Sequence, residues 1–248
     1  MTKYNFAINT IDSLDEINYE VNKNIRYKYL GNQFLYKRNP KNKILTVCFH
    51  GRAPKGSYPI FRGYNYTLSH SDILSLADKL QPKLNLEVTF YLHFIADYIQ
   101  IIKKIFEEGN YSKILFFGSS SGGFIALFLA SYFQQHAFLA NAFIYPTNKH
   151  YRQLKEKCKG TNFAIRMDIK SVIQQYGFPE TLHLFSNKAD SIHVKNAKPF
   201  LLENEIHQDK IKEVFFHRKP KDGSDPHAIN MPSQNTEYWI QEIVNLLL

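Results

Sequence analysis

Residues 113–123 read KILFFGSSSGG, and an apolar run, FIALFLA at 124–130, follows at once. The first half has the continuous apolar character of a buried strand over 114–117, and the second that of an apolar helix over 124–133. Only a sharp turn can join them. Within it, Gly118-Ser119-Ser120-Ser121-Gly122 fits the spacing G-x-S-x-G, in which a serine stands on a strained strand-to-helix turn. Side chains two residues before and after such a serine would collide, so both places call for glycine. Ser119 and Ser121 are rivals by residue type, but only Ser120 has glycine on both sides at that distance. The turn lifts the hydroxyl off the sheet and aims the helix N-terminus at it, a partial positive charge suited to a developing oxyanion. A phosphate-binding loop at a helix N-terminus is the alternative, but the Lys-Ser/Thr pair of a P-loop is absent.

Outward from this stretch, strands and helices alternate. IRYKYLGNQFLYK at 25–37 predicts a hairpin around Gly31-Asn32. Further strands are expected at 44–49, 86–92, 140–144 (ending at Pro146), 181–185 and 211–217, and helices at 71–80, 94–108, 149–158, 165–176, 195–207 and 235–247. Ser71 or Asp72 would cap the first helix, and Gly109 would end the second. This order predicts an α/β fold: a mostly parallel central sheet with an N-terminal hairpin and helices on both faces. No linker divides the chain, so one domain over 1–248 is expected, with 145–180 as a candidate helical insertion.

A serine needs a base, and the base an orienting acid. C-terminal strand ends of a parallel sheet open on one edge, where such groups meet. Asp190 follows the 181–185 strand in SNKADSIH, and His227 follows the 211–217 strand in RKPKDGSDPHAIN. Asp222 and Asp225 are rivals for the acid; His193 and His50 are rivals for the base. One oxyanion donor would be the N–H of Ser121, and the other that of Gly51 or Arg52, after the 44–49 strand. The loop then runs RAPKGSYPIFRGYNY, long, basic and aromatic. Arg52, Lys55, Arg62 and Tyr64 are its candidate substrate-binding residues, since cations and ring faces suit anionic groups and sugars. Cys48 sits inside an apolar strand, where a thiolate is costly, and reads as core.

The chain carries 31 Lys and Arg against 22 Asp and Glu, a net charge of +9. Ten basic residues and no acidic one fall between Val21 and Ser71, so that segment holds the whole excess. Such a field attracts polyanions. No nucleic-acid-binding motif accompanies it, which argues against nucleic acid as partner. Two cysteines exclude a disulfide framework or a four-cysteine zinc site. MTKYNFAINTIDSLDE has no signal-like apolar core, and no apolar run approaches the roughly 20 residues of a membrane-spanning helix. A soluble, cytoplasmic protein is expected, with no metal.

With elbow, acid and histidine in this order, the chain resembles the serine α/β-hydrolases over about residues 25–248. More narrowly, G-S-S-x-G-G at 118–123, D-S-x-H at 190–193 and the late Gly/Asp-rich loop with a histidine resemble the α/β-hydrolase-fold capsule polysaccharide O-acetyltransferases. The resemblance implies a Ser120–His227–Asp190 triad, an acetyl-serine, acetyl-CoA as acyl donor and a sugar hydroxyl of an anionic surface glycan as acceptor. Two other readings are a carboxylesterase or deacetylase acting on glycan or small esters, and a non-catalytic subunit of polysaccharide or secretion machinery that keeps the fold.

Overall fold

The computed structural model describes residues 8–19, 24–30, 32–49, 66–77, 95–145, 169–191, 193–216 and 236–248. Among them a nine-stranded sheet runs in the order β1-β2-β3-β5-β4-β6-β7-β8-β9. The strands are β1 (Ile8–Thr10), β2 (Asn24–Tyr29), β3 (Asn32–Lys37), β4 (Ile44–Phe49), β5 (Ser71–Ala77), β6 (Lys113–Ser119), β7 (His136–Ala140), β8 (Thr181–Asn187) and β9 (Ile211–Phe216). Only β3 runs against the rest; it pairs antiparallel with β2 and β5, and every other pairing is parallel. The hairpin read at 25–37 is therefore present, with Leu30 at φ +47° in its turn.

The described helices are α1 (Ile95–Glu108), α2 (Gly122–Phe133), α3 (Ile169–Tyr176), α4 (Lys198–Glu203) and α5 (Thr236–Leu246). They cover both faces of the sheet. Ile114 and Phe116 of β6 pack into one core with α1, α2 and α3, while Leu115 and Phe117 pack into another with Ile240, Ile243 and Val244 of α5. Helix α1 buries Ile95, Tyr98, Ile101, Ile102 and Ile105, the stripe that its sequence spacing requires. Its end is finer than expected. Gly109 closes the last turn on the carbonyl of Ile105, but the left-handed residue is Asn110, at φ +54°.

Three expectations are corrected. The helix expected at 71–80 is strand β5 over Ser71–Ala77. It lies between β3 and β4, buried on both faces, and such a run has no period by which strand and helix could be told apart. Asp72 caps nothing. Its carboxylate takes hydrogen bonds from Arg38 (3.0 Å), the Asn39 N–H (2.8 Å), Asn42 (2.8 Å) and the Tyr111 hydroxyl.

The strand expected at 140–144 lies four residues earlier, at His136–Ala140. Asn141, at φ +43°, turns the chain out of the strand, and Ala142 and Ile144 are buried without joining the sheet. The helix expected at 195–207 is broken into a π-turn at His193–Ala197, α4, and a 3-10 turn at Glu205–Lys210. The expected strand 86–92, the helix 149–158 and the start of the 165–176 helix lie outside the described residues, as does most of the 145–180 insertion.

Candidate active site

Strand β6 lies beside β4, but β5 lies on β4's other flank, so the chain changes winding direction between β4 and β6. A crevice opens at the C-terminal ends of strands at such a switch point. Ser120 follows β6 directly and stands there at φ +50°. The left-handed region is strained for serine and persists only where surrounding structure over-determines it. Here the Ser120 N–H donates to the Ala140 carbonyl (3.1 Å), and the Ser120 carbonyl accepts from Gly123 (3.1 Å) and Phe143 (2.9 Å).

The glycines explain why the turn closes. A Cβ on Gly118 would lie 2.5 Å from the Gly122 carbonyl oxygen and 2.7 Å from the Ala126 Cβ. A Cβ on Gly123 would lie 2.2 Å from that of Ala142. The three serines are sorted by the same turn: Ser119 and Ser121 are buried, while Ser120 is half-exposed. The Ser119 hydroxyl is buried with no hydrogen-bond partner among the described residues. Ser121 is the N-cap of α2, whose first turn carries no acidic side chain to offset its positive end.

Asp190 lies beyond the C-terminal end of β8, on the same sheet edge, and is buried. Its N–H donates to the Asn187 carbonyl (2.9 Å) and its carbonyl accepts from His193 (3.1 Å). The imidazole of His193 is held against other groups. Its Nδ1 is 2.8 Å from the Ser186 hydroxyl, and the ring meets Phe215 edge-on at 4.8 Å. Burial, then Lys188 and Lys198, hold its pKa below the usual histidine value, against the opposing pull of Asp190. Cys48 is buried, and burial pushes its thiol up to about 12, as befits a core residue.

His227, Gly51, Arg52, Lys55, Arg62 and Tyr64 lie outside the described residues, as do the rivals His50, Asp222 and Asp225. Of the basic segment, Arg38 is spent in a buried ion pair with Asp72, and Lys37 donates to the Tyr66 carbonyl at 2.6 Å. Lys41 and Lys43 are exposed just ahead of β4, at the sheet edge opposite Ser120. Among the described residues no group of three His, Cys, Asp or Glu side chains could hold a metal ion, and no helix is long and apolar enough to cross a membrane.

Sequence reading missed the asparagines. Asn141 accepts the Asn187 N–H on its Oδ1 (2.8 Å), and Asn196 accepts the N–H groups of Ile144 and Tyr145 (both 3.0 Å). The available signal was a lone asparagine after an apolar run, a residue that tolerates positive φ where a strand ends.

Strands β2 to β9 in this permutation, with β3 reversed and a left-handed serine between the central strand and a buried helix, define the α/β-hydrolase fold. Solved structures share it. A histidine-to-alanine variant of the capsule O-acetyltransferase of Neisseria meningitidis serogroup A, in complex with CoA, superposes with a TM-score of 0.59 at 18% identity, covering 94% of this chain and 100% of that one. Esterase B of Lactobacillus rhamnosis matches at TM-score 0.59 and 12% identity, over 87% and 80% of the two chains. An esterase of Pyrococcus furiosus matches at 0.56 and 12%, over 91% and 89%. At these identities the likeness is one of fold. No curated protein matches the sequence. The chain belongs to the uncharacterised protein family UPF0227, whose model matches residues 68–210.

Proposed function

We propose that this chain is a serine acyl-ester enzyme that transfers an acetyl group from acetyl-CoA to a hydroxyl of an anionic surface polysaccharide. The observation that carries the reading is Ser120 itself: a half-exposed hydroxyl at φ +50°, at the switch point, in front of a helix N-terminus free of acidic side chains. In this reading the Ser120 Oγ attacks the thioester carbonyl carbon and gives its proton to His227. The carbonyl oxygen becomes an oxyanion held by the N–H of Ser121 and that of Gly51 or Arg52. The C–S bond then breaks, CoA thiolate takes the proton from His227, and acetyl-Ser120 remains. A sugar hydroxyl repeats the attack, its proton passing through His227 back to Ser120. Asp190 orients the imidazole and stabilises its cation. Arg52, Lys55, Arg62 and Tyr64 bind the anionic groups of donor or acceptor. The capsule O-acetyltransferase with CoA bound, a neighbour in fold, supports this choice of donor and acceptor. A reaction drawing on acetyl-CoA belongs in the cytoplasm, and one domain over 1–248 suffices for it.

The second reading is ester hydrolysis, with water in place of the sugar hydroxyl, and the esterases that share the fold favour it. Incubation with acetyl-CoA and purified anionic capsular glycans, followed by mass spectrometry, separates the two. Acetylated glycan is the expected result; free acetate with unchanged glycan makes the protein an esterase. A fluorophosphonate probe should label the wild type and not Ser120→Ala, whose rate should fall by orders of magnitude with the fold retained. Failure of the wild type to react with probe or ester returns the chain to a non-catalytic role.

A further inference from the structure

The geometry points to Asn141 as a positioning residue that locks the turn carrying Ser120 to the loop carrying Asp190. The inference rests on the acyl-ester reading above and adds a residue to it. Asn141 follows β7, the strand that separates β6 from β8. One side of this junction holds the serine. The carbonyl of the preceding residue, Ala140, accepts the Ser120 N–H at 3.1 Å, and two residues onward the Phe143 N–H donates to the Ser120 carbonyl at 2.9 Å. The other side holds the acid. The Asn141 N–H donates to the Phe185 carbonyl at 2.9 Å, and its Oδ1 accepts the Asn187 N–H at 2.8 Å. Asn187 then fixes the loop: its carbonyl accepts the Asp190 N–H at 2.9 Å, and its Oδ1 accepts the Ala189 N–H at 3.1 Å. Asn141, Asn187 and Asp190 are 1%, 0% and 3% exposed, so water does not compete for these bonds.

The ladder between β7 and β8 ends at Ala140 and Phe185. The Asn141 side chain carries the connection beyond that point, into the loop where the acid sits. Two demands meet at this position. The backbone must adopt φ +43°, and the side chain must offer an acceptor one amide length away. Glycine meets the first alone, while asparagine and aspartate meet both. A site built on two loops needs its members held within about 0.5 Å, and an error of about 1 Å can slow chemistry by as much as 100-fold.

The test compares Asn141→Gly, which keeps the backbone and removes the acceptor, with Asn141→Asp, which keeps both. Each is assayed by the second-order rate of fluorophosphonate labelling, by kcat and KM for p-nitrophenyl acetate, and by Tm. Asn141→Gly should label about 10- to 100-fold more slowly, with the loss in kcat and KM little changed. Asn141→Asp should recover most of that rate. Should Asn141→Gly fail to fold, Asn141→Ser, whose hydroxyl is too short to span to Asn187, answers the same question. Wild-type rates in the acceptor-free variant overturn the assignment and leave the acyl-ester reading standing. Equal losses in both substitutions overturn it too, since the acceptor would then not be the cause. A wild-type protein inert to probe and ester removes the enzyme reading, and this inference with it.

Discussion

At the scale of single residues, three adjacent serines are separated by what surrounds them. Ser119 ends a buried strand, its hydroxyl without a partner among the described residues, and Ser121 holds the N-cap position of α2, while Ser120 alone of the three takes the left-handed bend. Ser119→Ala should therefore leave labelling of the protein intact and cost no stability, because it removes a buried polar group that has no partner among the described residues. Gly118→Ala should do the opposite. Its new methyl would press on the Gly122 carbonyl at 2.5 Å and on the Ala126 Cβ at 2.7 Å, so the turn must open. A loss of about 1–3 kcal/mol is expected in urea unfolding, with slower labelling of Ser120 in the folded protein. Unchanged stability and reactivity in Gly118→Ala would mean that the turn is looser than its contacts imply. The glycine preceding the serine by two was legible in the sequence for the right reason. The second close contact was not: it falls on Gly123 against Ala142, and Ala142 belongs to a segment that reads as strand but lies beside the turn.

At the scale of elements, the sequence was informative where one face is wet and ambiguous where both are dry. Helix α1 shows its period because Lys103, Lys104 and Glu107 alternate with the buried stripe. Strand β5 hides its identity because SDILSLA is covered on both faces and opens with two residues that elsewhere cap helices. The two readings of Asp72 differ in energy, and so can be told apart. As a helix cap, its replacement by alanine would cost about 1 kcal/mol. In the structure it is 1% exposed, paired with Arg38 at 3.0 Å and bonded to Asn42 at 2.8 Å, with the Tyr111 ring 5.1 Å from the guanidinium. Asp72→Ala leaves Arg38 buried without its carboxylate, and about 3–5 kcal/mol should be lost. Chemical denaturation decides between the two values. This network sits before β6 and at the start of β5, at the edge remote from Ser120, so Asp72→Ala molecules that remain folded should keep their probe reactivity.

At the scale of the whole molecule, the sheet separates its two edges by role, and three cations of the basic segment lie at the edge away from the serine. Arg38, Lys41 and Lys43 belong to the edge opposite the serine, and Arg38 is neutralised by Asp72, so these three add little to the field at the crevice. Buried titratable groups matter more to the molecule as a unit. His183 lies in β8 opposite Phe138 and Lys212, only 8% exposed. Burial first, then His136 and Lys212, lower its pKa to about 4. His136, beside Thr181 at 2.9 Å, is lowered in the same direction, again chiefly by burial. The sign follows from proton counting. Near pH 6.5 the unfolded chain takes up a proton on His183, whereas the folded chain does so only near pH 4. Between those limits the unfolded state binds more protons, so stability falls as the pH is lowered and is level on either side. A pKa lowered from the ordinary histidine value of 6.5 to about 4 corresponds to about 3 kcal/mol for this one ring. Asp72 opposes it, because burial raises its carboxyl pKa and the folded state gains protons first. The difference between the stability curves of the wild type and His183→Gln, measured by urea unfolding from pH 7 to pH 4, isolates the histidine. The wild type should lose about 3 kcal/mol more over that range than the variant, and parallel curves would mean that the ring is protonated inside the fold.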